Sequence, residues 1–143
     1  MGPMKKKRRR LQLLLLVALL AASYPTFVLT YTWSRVLKSE LPGGRHGPLD
    51  AYRHTLASAV VAYTLNQDVV RLVNKFMEKR GKRSNTMDIH NNLVGATIGA
   101  HSVHFADIEP AVKAAISAGA VHATQPGQVT WLEPDKWQDG KLR

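Results

Sequence analysis

The sequence predicts an all-α protein, a small bundle of three to four helices behind one N-terminal transmembrane helix. A charge-free run of 23 residues, Leu11 to Trp33, is long enough to cross a bilayer as a helix. The stretch from Leu49 to Arg80 has neither Gly nor Pro and repeats its apolar side chains at helical spacing. Only Gln128 to Leu132 has the composition of a strand, and one strand makes no sheet.

With 143 residues, 45% hydrophobic and 21% charged, the chain suits one domain of ordinary size and excludes a disordered or collagen-like polymer. It has no cysteine, which excludes a disulfide scaffold, thiolate zinc and a cysteine nucleophile. Any metal site must draw on His, Asp or Glu.

The first element carries most of the charge. Lys5 to Arg10 supplies six of the 20 basic residues, so 14 basic against 10 acidic side chains remain, +4 of the formal +10. A polybasic run beside an apolar span is explained by topology and anionic lipid, and no nucleic-acid partner is needed. It holds the N-terminus in the cytoplasm, while Tyr24, Phe27, Tyr31 and Trp33 gather toward the far interface. Residues 1–33 therefore read as a basic N-terminus and a transmembrane signal anchor, in contact with lipid over 11–33. The rest is placed outside a bacterial inner membrane, periplasmic or extracellular. A second reading takes Leu13 to Leu20 as a signal-peptide core cleaved after Ser23, which makes the domain secreted. Apolar character through Val28-Leu29 exceeds what a signal peptide needs and favours the anchor, although Pro25 weakens a spanning helix.

Residues 34–48, with Pro42, Gly43, Gly44, Gly47 and Pro48, read as a linker before a helical domain over 49–120. In its first helix Leu49, Tyr52, Leu56, Val60 and Tyr63 share one face. Asn66-Gln67-Asp68 either caps a second helix from about Val69 to Arg80, stopped by Gly81, or lies inside one continuous helix. Asn85 or Thr86 caps a third helix that starts with Met87-Asp88 and runs to about His104. Asp107 caps a fourth, striped by Ile108, Val112, Ala115 and Ile116 and closed by Gly119. Residues 121–143 form an irregular tail.

Asp50, Arg53 and His54 stand at i, i+3 and i+4, so they share a side of the first helix that continues through Ala57, Ser58 and Val61. The third helix repeats this with Asp88, Asn91 and Asn92, then Gly95 and Gly99. Glycines four apart let another helix approach closely, and the small strip of the first helix is the natural partner. With the first helix up, the second down and the third up, both polar turns fall at one end. His54, oriented by Asp50, then serves as general base or metal ligand, and Asp88 as a second carboxylate. Arg53 with Asn91 or Asn92 binds the substrate or steadies an oxyanion. These donor types also suit a divalent metal. Ser58 is mid-helix and lacks an oxyanion loop, which makes it a poor nucleophile. His90, His101 and His104 point away from Asp88, and His101 and His104 with Asp107 form only a weak metal pattern. Arg71, Lys75, Lys79 and Arg83 recur every four residues, as a solvated face or a surface for an anionic envelope polymer or lipid.

The segments GPLDAYRHTLASA (Gly47 to Ala59) and MDIHNNLVGATIG (Met87 to Gly99) resemble an uncharacterised bacterial domain family of exported and toxin-associated proteins. In that family a D-A-[YF]-R-H helix precedes an M-D-x-H-N-N-x-x-G helix. The match falls on Asp50, Ala51, Tyr52, Arg53, His54, Met87, Asp88, His90, Asn91, Asn92 and Gly95; the His-Glu pair common between the motifs is replaced here by Glu78 alone. The resemblance implies an all-helical fold and export. The residues themselves point to a membrane-anchored extracytoplasmic hydrolase acting on peptidoglycan or phospholipid. The alternative is a non-enzymatic anchored binding or assembly module of a secretion or lysis system.

Overall fold

A computed structural model describes residues 3–79 and 83–140, with side chains over 5–79 and 86–140. The described residues form five α-helices: α1 (Pro3–Lys38), α2 (Pro48–Thr64), α3 (Gln67–Glu78), α4 (Arg83–His101) and α5 (Ile108–Ser117). The protein is all-α.

α1 is longer than the apolar run that announces it. Residues 34–38, expected in the linker, continue the helix because no Gly or Pro interrupts them, and the breakers begin at Pro42. Leu11 to Leu20 are exposed, and α1 is long and apolar enough to cross a membrane. From Tyr24 onward it packs on the domain. Val28 and Val36 are buried in the main core, and the Tyr24 hydroxyl lies 2.6 Å from Thr64 Oγ1. Arg35 Nε pairs with Glu109 at 3.3 Å, and Glu109 also accepts from the Tyr52 hydroxyl at 3.2 Å. Burial, reinforced by Glu109, pushes the Tyr52 pKa upward.

α2 starts with Pro48, whose fixed φ suits a first helical turn, and its buried face joins Tyr52, Leu56 and Val60 to Ile108, Val112 and Ile116 of α5. The break at Asn66 makes two helices where one was possible. Its side chain accepts from the amides of Asp68 at 2.9 Å and Val69 at 3.2 Å. The stop expected at Gly81 lies outside the described residues. α4 begins at Arg83, four residues before Met87, so Asn85 and Thr86 lie within it and do not cap it. It ends at His101. A 3₁₀ turn over Phe105–Asp107 follows, in which the Asp107 carboxylate accepts from the His104 amide at 3.0 Å.

α2 and α4 run parallel in close contact. A Cβ on Gly95 would stand 2.2 Å from Thr55 O, and one on Gly99 would stand 2.1 Å from Ala59 O. The tail also departs from expectation, because Thr130–Trp131 is a strand with a partner. It pairs in parallel with Ala120–Val121, and the Asn91 amide brackets Thr130, donating to its carbonyl at 2.8 Å and accepting from its N–H at 2.9 Å. Further along, Leu132 N donates to His46 O at 3.0 Å and Gln138 N to Arg45 O at 3.0 Å. The tail thereby straps the loop that leads into α2.

Gly99→Leu should drive α4 off the Ala59 carbonyl and destabilise the domain by roughly 1–3 kcal/mol or more. Thermal or denaturant unfolding checks this, and an unchanged midpoint would mean that the two helices do not touch.

Candidate functional site

Because α2 and α4 are parallel, the first turn of α2 meets the second turn of α4, one turn further along than a helix starting at Met87 would place it, and Asp50, Arg53, His54 and Asp88 come together there. Asp50 is 2% exposed and held at both oxygens: Oδ2 accepts from the His46 amide at 2.8 Å, and Oδ1 pairs with Arg53 Nη2. His46 adopts φ +67 in the strapped loop, so the tail fixes the amide that holds Asp50. Sequence reasoning missed His46, whose only signal was its place in a Gly-rich loop one turn before Asp50.

His54 Nε2 lies 3.2 Å from Arg53 Nη2, 3.4 Å from Asp88 Oδ1 and 3.6 Å from Asp50 Oδ1. A guanidinium only donates, so we assign Nε2 as the acceptor and place the ring proton on Nδ1. The Nε2 lone pair then faces two carboxylates. Asp88 Oδ1 is buried without a hydrogen bond. Burial raises its pKa above the ordinary carboxylate value; His54 opposes that rise, Asp50 adds to it, and the net shift is upward. A protonated Asp88 is also the form that offers Nε2 a donor.

His54 and Arg53, at 21% and 28% side-chain exposure, form the open side of the cluster. Arg53 also lies over the Trp33 ring of α1, 5.6 Å from its centroid. Trp33, an interface anchor by its place in the sequence, thus also borders the cluster. Oδ1 of Asp50, Nε2 of His54 and a carboxylate oxygen of Asp88 lie within 4.8 Å of one another, a donor set of divalent-metal type. Arg53 Nη2 touches two of the three donors, so a metal there would have to displace the guanidinium.

Two expected substrate ligands do not join this cluster. The Asn91 amide is spent on Thr130, and Asn92 accepts from Ser58 Oγ at 3.0 Å while donating to Asn74 Oδ1 at 2.9 Å. Both are buried, and both tie α4 to its neighbours; Ser58 is likewise a core hydroxyl. His90 contacts Gln128 O at 2.6 Å, and His101 contacts Thr97 O at 2.8 Å on an exposed face. Arg71, Lys75 and Lys79 are exposed on α3 beside exposed Leu72, Val73 and Phe76, with Arg71 paired to Asp68 at 3.0 Å. Arg83 belongs to α4 and does not extend that row, and its side chain lies outside the described residues. Comparison with protein-family models, with curated proteins and with solved structures finds no match.

An acid with a raised folded-state pKa contributes stability at low pH that is lost as pH rises through the folded value. Asp88→Asn should therefore melt higher than the parent near pH 7, the gain fading toward the unperturbed value of 3.8. Melting curves across pH check it. Asn91→Ala should cost roughly 1–3 kcal/mol by orphaning the Thr130 backbone groups, and should speed proteolysis within 120–140.

Proposed function

We propose that the chain is a membrane-anchored extracytoplasmic hydrolase acting on a cell-envelope component, peptidoglycan or phospholipid. The observation that carries this reading is the meeting of His54 Nε2 with the carboxylate of Asp88 at 3.4 Å, at a partly open end of the domain where burial raises the Asp88 pKa. An imidazole nitrogen beside a buried carboxyl group offers a base and an acid. His54 takes a proton from water, Asp88 gives one to the leaving group, and Asp50 orients His54 while Arg53 binds the substrate. The basic run at Lys5–Arg10 supports a cytoplasmic N-terminus, which puts the domain on the far side of a bacterial inner membrane. Exposed Arg71, Lys75 and Lys79 supply a cationic surface for anionic lipid or polymer. The likeness of the two motifs to an exported, toxin-associated family supports the same placement.

One observation favours a second reading, a non-enzymatic binding or assembly module: Arg53 already neutralises Asp50 and contacts His54, so the cluster is partly satisfied by itself. Catalysis and structure predict different responses. His54→Ala should cut hydrolysis of envelope material by about a hundredfold or more with little change in melting temperature. Full turnover by a folded His54→Ala protein would remove the mechanism.

A further inference from the structure

The depth of the cluster in the membrane follows from α1. Lys5 to Arg10 stay out of hydrocarbon, so the lipid tails begin near Leu11. At about 1.5 Å per residue, about 20 residues cross a core of about 30 Å, which brings its far edge close to Thr30. Trp33, at the end of the 23-residue run, stands about 35 Å along an upright helix, about 32 Å at a tilt of about 20°, and about 26 Å at about 40°. Within that range of tilts it stays within about 5 Å of the hydrocarbon edge.

The domain cannot stand off from this level on a tether. α1 is unbroken through Lys38, and Tyr24, Val28, Arg35 and Val36 fix it to α2, α5 and the core. Trp33 lies against Arg53, and Arg53 against Asp50 and His54, so the cluster shares the depth of Trp33. The end of the domain nearer the span carries both apolar and polar groups. Tyr63 and Phe105 join Phe27 and Tyr31 in one aromatic group, and Leu65 and Val103 beside them are 52% and 76% exposed. Exposed Leu65 and Val103 alternate on these loops with exposed Asn66, Asp68, His104 and Asp107, a mixture of apolar and polar groups that suits the headgroup layer.

We propose that the substrate is a phospholipid of the same leaflet, bound through its headgroup phosphate by Arg53 and cleaved at a phosphodiester bond. This rests on the hydrolase reading and selects lipid over the distant peptidoglycan. A guanidinium on the open side of the cluster matches a phosphate in geometry and charge. Water attacks phosphorus and loses a proton to His54 Nε2 as the new P–O bond forms. The P–O bond to one alcohol breaks, and a protonated Asp88 gives its proton to the departing oxygen. The imidazolium then returns a proton to Asp88 across 3.4 Å, leaving a phosphomonoester, a free alcohol and the starting enzyme.

The test uses the full chain reconstituted in vesicles of phosphatidylethanolamine and phosphatidylglycerol. The absence of native cysteine allows single nitroxide labels at Ser34→Cys and Leu65→Cys, whose depths are read from oxygen and nickel accessibility. The expected result is Ser34 near the phosphate plane, Leu65 deeper, and phosphomonoester release seen by phosphorus NMR that falls at least tenfold in a normally melting Arg53→Ala variant. A Ser34 label well out in water, or recovery of the domain cleaved from residues 11–22 in the aqueous fraction, would overturn the depth assignment. Headgroup depth with turnover of isolated peptidoglycan alone would overturn the lipid assignment and leave the hydrolase reading standing. Headgroup depth with no turnover of either material would overturn both.

Discussion

Two backbone carbonyls, those of Thr55 and Ala59, organise this protein, because Gly95 and Gly99 of α4 lie directly on them. Contact at that distance fixes the register of α2 against α4 as well as their proximity. The direction of the pair then decides the rest. Parallel neighbours cannot be joined by a tight turn, so α3 has to carry the chain back, and it does so at the periphery with only Val70 and Asn74 buried. Parallel alignment also brings the start of α2 beside the second turn of α4, which is why Asp50 and His54 find Asp88 at all.

The first turn of α2 favours the Asp50 carboxylate, Asp88 stands a turn inside α4, and two carboxylates around one imidazole repel each other. The fold answers this unequally. Neither Oδ1 has a hydrogen bond, but Asp50 has the His46 amide on Oδ2 and Arg53 paired to Oδ1, whereas Asp88 Oδ1 has only His54 beside it. The inequality originates far away in the chain, since His46 is held by Leu132, and the strand leading to Leu132 is held by Asn91. A tail that looks dispensable by composition therefore fixes the backbone amide on which Asp50 is held.

Helical periodicity carried the polar first turns, the glycine strip and the parallel arrangement, because each depends on spacings of three and four residues. It could not distinguish Asp88 from Asn91 and Asn92. All three fall on one sector, yet Asn91 is claimed by Thr130, 39 positions along, and Asn92 by Ser58 and Asn74. The boundaries that slipped have a common cause. Breaker residues mark where helices must stop, so Pro42 and Gly43 coloured the whole segment from Ser34, and the polar stretch before Met87 concealed about one turn of available helix. His46 and Trp33 were invisible as site residues because one acts through its backbone and the other through a ring already explained by the membrane.

α1 shows why composition and packing can assign one helix to two roles. Up to Ala22 its side chains face outward and contribute nothing to the core. From Tyr24 it supplies core residues, an ion pair to Glu109 and the ring under Arg53. The change falls at Ser23 and Tyr24, the position at which a signal peptidase would cut. Removal of the apolar half would leave the domain-facing half in place, so folding of the domain does not require the anchor to be retained. Under the proposed anchoring, retention decides a different quantity, the depth at which His54 and Arg53 are presented, because one unbroken helix runs from the apolar half into the core.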